Sequence, residues 1–421
     1  MVPRPAARPP ARPLAMSSAP LRFEAVAIAD SSTQPGRTAR IEIVQDLARA
    51  EPVWRHLEQG DVLATPYQRY DLLAPWLREV GARTGVTPFL VVGRDDTGAP
   101  AFLWPLGRSG AGPLTVVRFL GGKHANFNLA LWRRDVAAAM DAPALRAVIA
   151  AIAAAGPRVD LLQLFNQPES WEGLPNPLAA LPHQASPSFG YRGRLQGDFE
   201  ALLASRSSTV ARRKMRSKER ALANLGALRA SRIATREEAE RVLSDFFTQK
   251  SERLAEQGLP DVFAEPGVRD FITEAATARL AEGRPAIELY ALELDSEILA
   301  TFGAVTDGRR LSTMFNSMTR GPLAAKSPGQ LLLQTLVRLS CERGIGVFDL
   351  GVGEASYKQL FCDEAEPLFD SFIGLTPAGH LAAAASRLAY ACKRHIKHNP
   401  AIWQAITATR RLRGGRTAAE D

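Results

Sequence analysis

The sequence predicts a mixed α/β protein of two halves, and two observations support this fold class. In the second half of the 421-residue chain, three strand-like segments joined by short turns are followed by a helix and another strand. The first half repeats this order of elements, although the two halves share little sequence. Antiparallel strands followed by a strand–helix–strand crossover in each half favour two layered α/β units.

The elements of the second half are marked by turn and helix signals. Asp307 and Gly308 form a typical hairpin turn, an apolar stripe at helical period follows Gly329, and Gly344 ends that helix. The predicted strands of this half are 286–294, 298–306, 310–318, 347–351 and 367–375, and its predicted helices are 329–343 and 354–361.

The first half shows the same order of elements, but its turn and helix-end signals are weaker. Its predicted strands are 88–96, 99–108, 114–122 and 159–168, and its predicted helices are 64–81 and 142–155. The stretch 174–191 is rich in proline and has little periodicity, so we expect the join between the halves there.

Composition divides the chain into four expected regions. Residues 1–39 form a leader rich in Pro, Ala and Arg that we expect to be disordered, because it cannot bury enough apolar area to offset the ordering entropy. The leader has no apolar stretch typical of a secretory signal, and either Met1 or Met16 is the true start. The other expected regions are an N-terminal domain at 40–185, a second domain at 186–378, and a helical extension with a basic tail at 379–421.

Charge and cysteine content narrow the class of protein. The formal net charge of +8 suits an anionic ligand, a nucleic acid or an acidic surface. The three cysteines, Cys341, Cys362 and Cys392, have neither disulfide-framework nor zinc-site spacing, so we expect a reducing cytoplasm. The histidines are scattered and no metal site is predicted. No apolar stretch is long enough to cross a membrane.

A possible anion site lies at the start of the predicted helix 329–343. Backbone N–H groups at a helix start are unpaired and attract anions, and glycine lets a ligand approach them. In the run Lys326-Ser327-Pro328-Gly329-Gln330, the lysine adds charge, the serine can cap the helix, the proline fits its first turn and the glycine opens its surface. The alternative is an ordinary capped helix without a ligand.

The equivalent helix of the first half serves as a comparison. It begins after Asp141, has no glycine at its start, and would be capped by that carboxylate, which also repels anions. If the two halves are duplicates, only the second half is expected to bind an anionic cofactor.

Three stretches carry a resemblance to a known family. They are "SPGQLLLQTLVRLSCERGIGVFDLGVGEASYKQLF" at 327–361, the basic helix "SRSSTVARRKMRSKERALANLG" at 205–226 and "FFTQKSERLAEQG" at 246–258. Together they resemble the GNAT acetyltransferase domain of CelD-type cellulose-biosynthesis proteins, which is similar to Fem-type aminoacyltransferases with two GNAT domains in tandem. The resemblance covers about 199–375. The phosphate loop departs from the usual GNAT pattern, with Lys326 at its first position and Leu331 at its last.

The resemblance implies two GNAT-like domains, the first of them degenerate, and a specific reaction. The implied reaction is acyl transfer from acetyl-CoA, or another acyl-CoA, to an amine or hydroxyl of a carbohydrate or of a cell-envelope or exopolysaccharide precursor. It requires no metal. The alternatives are a non-catalytic adaptor for polysaccharide synthesis and a transferase that takes its acyl group from aminoacyl-tRNA.

The resemblance also assigns site residues. Lys326, Ser327, Gly329 and Gln330 would bind the pyrophosphate of the cofactor. Asp349 ends a strand beside the thioester path and is the candidate base, and Tyr357 is the candidate acid. Lys358 would neutralise charge, contact substrate or pair with Asp349. The non-catalytic alternatives are a cap or ion-pair partner at the strand end for Asp349, packing for Tyr357 and a surface charge for Lys358.

Basic side chains ahead of the hairpin are candidates for binding the acceptor. Arg212 and Arg213 belong to a run of cations that fits either a solvated helix face or an anionic acceptor such as a sugar nucleotide. Lys250 and Arg253 could reach the same acceptor. No aromatic residues interleave with the run, so nucleic acid is disfavoured except for tRNA under the Fem-type alternative. His124, at the end of a first-half strand, is a candidate for lining the cleft between the halves; the alternative is a histidine without a role in a site.

Overall fold

The computed structural model describes residues 40–353, 358 and 360–399. The expected disordered leader, most of the expected basic tail and the candidate acid Tyr357 lie outside the described residues.

The described part of the first half contributes ten strands. They are β1 (Arg40–Val44), β2 (Val62–Leu63), β3 (Thr87–Arg94), β4 (Pro100–Ala111), β5 (Leu114–Phe119), β6 (Leu131–Arg133), β7 (Leu161–Pro168), β8 (Ser170–Trp171), β9 (Leu174–Pro175) and β10 (Gln184–Ala185). Its α-helices are α1 (Leu47–Gln59), α2 (Tyr70–Trp76), α3 (Arg134–Ala139) and α4 (Ala142–Ala154). Short 3₁₀ turns lie at Pro66–Gln68, Ala82–Thr84, Gly122–His124 and Pro177–Ala180, and a π turn at Leu77–Gly81.

The second half contributes eight strands and six helices to the described fold. The strands are β11 (Gly190–Arg194), β12 (Leu228–Arg232), β13 (Glu288–Leu294), β14 (Glu297–Thr306), β15 (Arg310–Met318), β16 (Val347–Val352), β17 (Glu364–Glu366) and β18 (Leu368–Gly374). The helices are α5 (Phe199–Arg206), α6 (Thr209–Ala223), α7 (Arg236–Glu256), α8 (Val268–Thr277), α9 (Pro328–Glu342) and α10 (Pro377–His398). Short 3₁₀ turns lie at Leu280–Glu282 and Gly321–Lys326. No helix in the described residues is both long and apolar enough to cross a membrane.

Two large mixed sheets organise these elements and confirm the predicted mixed α/β class. The first has the order β1-β3-β4-β5-β7-β18-β10, with β2 and β6 attached beside β4, and the second has the order β12-β13-β14-β15-β16-β11-β17. Each half contains an antiparallel three-stranded meander followed by a helix and a parallel strand: β5 pairs with β7 across α4, and β15 pairs with β16 across α9. The element order predicted from the sequence therefore corresponds to the same crossover in both halves.

The strand β18 lies in the first sheet, although its place in the sequence groups it with the second half. It runs antiparallel to β7, from Leu368 opposite Pro168 to Gly374 opposite Leu161. The chain passes from the first sheet to the second between β10 and β11, which pairs with β16, and returns to the first sheet between β17 and β18. A run of strand-forming residues predicts a strand but not the strand with which it pairs. The pairing depends on which sheet has an edge strand open to it in the folded protein. The chain thus crosses between the sheets twice and ties them together.

Asp370, on β18, is a buried carboxyl with incomplete hydrogen bonding. The residue is 1% exposed, and its Oδ1 accepts a bond of 2.8 Å from the backbone N–H of Asn166. Its Oδ2 has no hydrogen-bond partner among the described residues. Burial raises the pKa of Asp370 to about 6. The ionised form of Asp370 therefore destabilises the folded protein at neutral pH.

The Asp370 carboxyl should make stability depend on pH between about 4 and 6. Its pKa is higher in the folded than in the unfolded chain, so the folded state binds more protons in this window and stability falls as pH rises. Asp370→Asn keeps the acceptor for Asn166 and removes the charge, and should raise the free energy of unfolding at pH 7 by about 2–3 kcal/mol. Urea denaturation of both proteins at several pH values tests this. Parallel pH profiles would contradict it.

Candidate active site

The central feature of the second sheet is a gap between β15 and β16. The two strands pair in parallel only from Arg310 opposite Val347 to Ser312 opposite Asp349. Both strands continue, β15 as far as Met318 and β16 as far as Val352, without further pairing to each other. Since α9 follows β15, the helix begins at the edge of the sheet where this gap opens. Crevices at the carboxyl ends of such strands are the usual ligand sites of α/β sheets.

The start of α9 carries no side-chain cap. Ser327 precedes the helix in the left-handed conformation, with φ of 57°, and the prediction that its hydroxyl caps the helix is wrong. Its Oγ instead accepts a bond of 2.5 Å from Nζ of Lys218 on the basic helix α6. Pro328 lies in the first turn as predicted. Pro328 has no N–H, and the N–H groups of Gln330 and Leu331 bond to the Ser327 carbonyl. Among the described bonds, the N–H of Gly329 is left at the helix start, close to the Lys218 ammonium group.

Gly329 has an open side at this helix start. A Cβ added there would come no closer to another residue than 3.6 Å, to Sδ of Met318, which is an ordinary van der Waals distance. Its φ is not in the left-handed region. Neither packing nor backbone conformation requires glycine at this position. Lys326 is partly buried beside it and Gln330 is exposed.

The equivalent helix start in the first half is closed. The Asp141 side chain accepts a bond of 2.8 Å from the backbone N–H of Ala144 and caps α4, as the sequence predicted. The Asp141 carboxylate therefore occupies the position at which an anion would bind to α4. The start of α9 has no such side-chain cap, so the two crossover helices differ in their ability to bind a phosphate.

The narrow end of the gap is closed by side chains of the first half. Nδ2 of Asn126 lies 2.8 Å from the Tyr67 hydroxyl and donates to the Thr313 carbonyl at 3.1 Å. Gly351, with φ of 71°, passes so close that a Cβ there would lie 2.5 Å from the Asn126 amide nitrogen. The gap is therefore bounded by both halves of the protein, and Gly351 is required on steric grounds.

Asp349 lies at this narrow end and is fully buried. Its Oδ2 accepts a bond of 2.5 Å from Nε of Arg310 and a second from the Ser312 hydroxyl, and its Oδ1 accepts one of 2.9 Å from the Gly351 N–H. Burial raises the pKa of Asp349, while these donors oppose the rise. Arg310 also pairs with both oxygens of Glu366, at 2.7 and 3.2 Å. The Asp349 carboxylate is thus part of a buried ionic cluster.

The same cluster joins the two halves. The guanidinium of Arg310 lies 4.0 Å from the centre of the Trp171 ring and 4.9 Å from that of Phe127, both from the first half. Arg192 adds a further bond to Glu366. The sequence analysis missed Arg310, Ser312 and Glu366. The period-two alternation of β15 places Arg310 and Ser312 on one face, which is the signal that could have identified them.

Lys358 lies at the open end of β16 rather than on the surface. The side chain is buried, and its Nζ donates to the carbonyls of Gly351, Val352 and Gly353 at 3.3, 3.4 and 2.8 Å. Burial lowers the pKa of Lys358 to about 8. The ammonium group thus holds the end of the strand beside the gap and remains mostly charged at neutral pH.

The candidate acceptor-binding cations lie in different environments. Arg212 donates to the carbonyls of Ala204 and Ser207 and so closes the end of α5, whereas Arg213 is exposed. Lys250 on α7 lies 5.8 Å from the centre of the Phe263 ring, and burial lowers its pKa. Arg253, one turn further along, is exposed. Arg213, Lys250 and Arg253 thus keep side chains available for a ligand.

His124 lies at the contact between the two halves. Its Nδ1 accepts a bond of 3.0 Å from the indole N–H of Trp76, and its ring lies 5.8 Å from that of Phe271 on α8. Burial lowers the pKa of His124 to about 4, so the ring is neutral at physiological pH. No group of three or more metal-ligating side chains occurs within the described residues.

Comparison with known proteins identifies the domain that contains the gap. Residues 210–359 match the family described as an acetyltransferase (GNAT) domain. This segment is similar to GNAT domains. It contains the basic helix α6, the meander β13–β15, the helix α9 and the strand β16. The match supports an enzyme that transfers acyl groups.

One solved structure, that of FemX, shares the wider fold, and two others show a weaker similarity. FemX covers 82% of this chain and 100% of its own, at 12% identity and a TM-score of 0.52. The C-terminal domain of a putative lysylphosphatidylglycerol synthetase from Agrobacterium fabrum covers 82% of this chain and 97% of its own, at 12% identity and a TM-score of 0.47. A tandem GNAT protein from the clavulanic acid pathway covers 80% and 99%, at 15% identity and a TM-score of 0.39. At 12% identity, the similarity to FemX shows a shared fold and nothing further. No curated protein matches the sequence.

Proposed function

We propose that this GNAT domain transfers an acyl group from acetyl-CoA, or another acyl-CoA, to an amine or hydroxyl of a carbohydrate or cell-envelope precursor. The observation that carries the proposal is the gap between β15 and β16, which opens beside an uncapped helix start. The open strand edges present backbone N–H and C=O groups to the pantetheine arm, whose amides need such partners. The start of α9 receives the pyrophosphate.

The residues around the gap supply the charges that the phosphates require. Lys326 and Lys218 lie next to the helix start, and the open side of Gly329 allows a phosphate to reach the backbone. We assign Ser327 and Gln330 to the same binding surface. Charge-assisted bonds of this kind are stronger than bonds between neutral groups.

The chemistry needs a proton acceptor for the attacking group and a proton donor for the leaving thiolate. The nucleophile forms a bond to the thioester carbon, the C–S bond breaks, and the thiolate of CoA takes up a proton. The three N–H groups of Lys358 are bonded to carbonyls at the end of β16, so its proposed contribution to the charge that develops on the carbonyl oxygen is that of a positive charge held nearby, not of a hydrogen-bond donor. Tyr357 remains the proposed acid and Asp349 the proposed base.

The acceptor is proposed to bind to the cations of α6 or of α7, two helices that pack on different hydrophobic clusters. Arg213, Lys250 and Arg253 present positive charge there, which fits an anionic acceptor such as a sugar nucleotide. Cellulose or exopolysaccharide synthesis and a cytoplasmic location belong to this proposal. Aminoacyl-tRNA as the acyl donor is the second candidate, favoured by the fold shared with FemX.

Thermal unfolding with different ligands tests the proposed function. Acetyl-CoA should raise the melting temperature, whereas S-acetylpantetheine, which lacks the nucleotide and its phosphates, should raise it much less at the same concentration. An equal shift from both compounds would show that the helix start does not bind the phosphates. The absence of any shift with either would favour the non-catalytic adaptor.

The substitution Gly329→Ala tests whether the glycine at this position serves ligand binding or the stability of the fold. The added methyl group meets no close neighbour, and alanine is the better helix former, so the melting temperature should stay the same or rise slightly. Acetyl-CoA affinity should fall roughly tenfold, the equivalent of one lost hydrogen bond to a charged group. Calorimetric titration measures the affinity. An unchanged affinity together with lower stability would indicate a purely structural glycine.

A further inference from the structure

The gap between β15 and β16 begins at an irregularity in β15. The two strands stop pairing after Ser312, and β15 contains an extra residue, Met314, between Thr313 and Phe315 in its pairing with β14. A bulge of this kind bends the strand that contains it, which accounts for the point at which β15 leaves β16. Thr313 therefore lies at the closed end of the gap, whereas the start of α9, beside Met318, lies at its open end.

The side chain of Asn126 lies across the closed end of the gap. Its Nδ2 donates to the Thr313 carbonyl at 3.1 Å, which is the first β15 carbonyl after the pairing with β16 stops. The same nitrogen lies 2.8 Å from the Tyr67 hydroxyl. On the other side, Gly351 of β16 is so close that a Cβ there would lie 2.5 Å from this nitrogen. The Asn126 amide therefore reaches from β15 to β16 and fills the gap at this end.

Asn126 is supported by a close-packed layer of the first half. The Tyr67 side chain is fully buried, its ring centre lies 6.0 Å from that of Phe127, and the Phe127 ring centre lies 5.7 Å from that of Trp171. A Cβ at Gly190, on β11, would lie 2.6 Å from the Phe127 ring, so this layer also contacts the second sheet. Closely packed interiors resist added volume, so this end of the gap cannot widen for a longer group without a loss of affinity.

The proposed function determines which end of an acyl-CoA molecule meets Asn126. With the pyrophosphate at the start of α9 and the pantetheine arm in the gap, the acyl group lies toward the closed end. We propose that Asn126, held by Tyr67, determines specificity for a short acyl group, so that the protein selects acetyl-CoA over acyl-CoA molecules with longer chains. The inference rests on the proposed function and adds to it the class of acyl donor.

Calorimetric titration of the full chain with acetyl-CoA, butyryl-CoA and CoA tests the inference. The parent protein should bind acetyl-CoA at least about tenfold more tightly than butyryl-CoA, because the longer chain would clash with the Asn126 amide. Asn126→Ala removes that amide and should bring the affinities for the two compounds to within about twofold of each other. The affinity for CoA, which has no acyl group, should be the same in the parent protein and the variant.

Asn126→Leu is the matched control for this comparison. Leucine keeps the branched shape of the side chain but, like alanine, loses both hydrogen bonds of the amide, so this variant should keep the preference for acetyl-CoA. Thermal unfolding without ligand checks that both variants fold. If the alanine variant does not fold, Asn126→Ser takes its place, because serine is smaller than asparagine and keeps a donor for the Thr313 carbonyl.

The outcomes separate this inference from the proposed function. Equal affinities of the parent protein for acetyl-CoA and butyryl-CoA would overturn the inference and leave the proposed function standing, and this comparison needs no variant. Equal loss of the preference in the alanine and leucine variants would also overturn it, since the hydrogen bonds rather than the size of Asn126 would then be responsible. Binding of neither acetyl-CoA nor CoA would contradict the proposed function and this inference together.

Discussion

Asp349→Asn is expected to lower the free energy of unfolding by about 3–5 kcal/mol, the usual cost of breaking a buried ion pair from one side. The Asp349 carboxylate accepts bonds from Arg310, Ser312 and the Gly351 N–H without exposure to water. Asparagine keeps the size of the side chain but removes the charge that balances Arg310. Because Arg310 also packs on Trp171, the loss should weaken the contact between the two halves.

Urea denaturation measures this change, with Asp363→Asn as the control. Asp363 pairs with Arg206 at 2.7 Å, but the Asp363 side chain is 55% exposed, so its loss should cost no more than about 1 kcal/mol. Equal, small effects of the two substitutions would show that the cluster contributes little. If Asp349 is also the base, turnover of the folded variant should fall by roughly a hundredfold while acetyl-CoA affinity is unchanged. Full turnover would limit Asp349 to a structural role.

Gly329→Asp is expected to lower acetyl-CoA affinity by roughly a hundredfold or more, because like charges brought together cost several kcal/mol. A carboxylate at this position would project from the first turn of α9 toward the proposed phosphate site. Stability should not fall, since an acidic side chain in the first turn favours the helix and the position is open. Calorimetric titration with acetyl-CoA and thermal unfolding without ligand measure the two effects. Retained affinity would place the phosphates elsewhere.

Local sequence patterns were sufficient to predict the meanders and crossovers. The turn at Asp307 and Gly308, the helical stripe after Gly329 and the strand ending at Gly351 all lie within short windows, and β14, β15, α9 and β16 follow them closely. The cap formed by Asp141 was predicted for the same reason, because a cap depends on residues three positions apart.

Contacts between distant segments could not be predicted in this way. The exchange of β18 into the first sheet depends on which strand edge is free, and a one-dimensional pattern does not show that edge. The partner of Asp349 is Arg310, 39 positions earlier in the chain, whereas the sequence analysis considered the nearer Lys358. The contact of Lys218 with Ser327 spans 109 positions, and it changes the role predicted for that hydroxyl from a cap to an acceptor.

The number of acetyl-CoA molecules bound per chain tests the central claim most directly. Calorimetric titration should give one site, because, of the two crossover helices, α9 has an open start whereas Asp141 caps α4. Asp141→Asn should still give one site, since asparagine also caps a helix. Two independent sites in the parent protein, or one site that survives Gly329→Asp, would contradict the assignment of acyl-CoA binding to the second half.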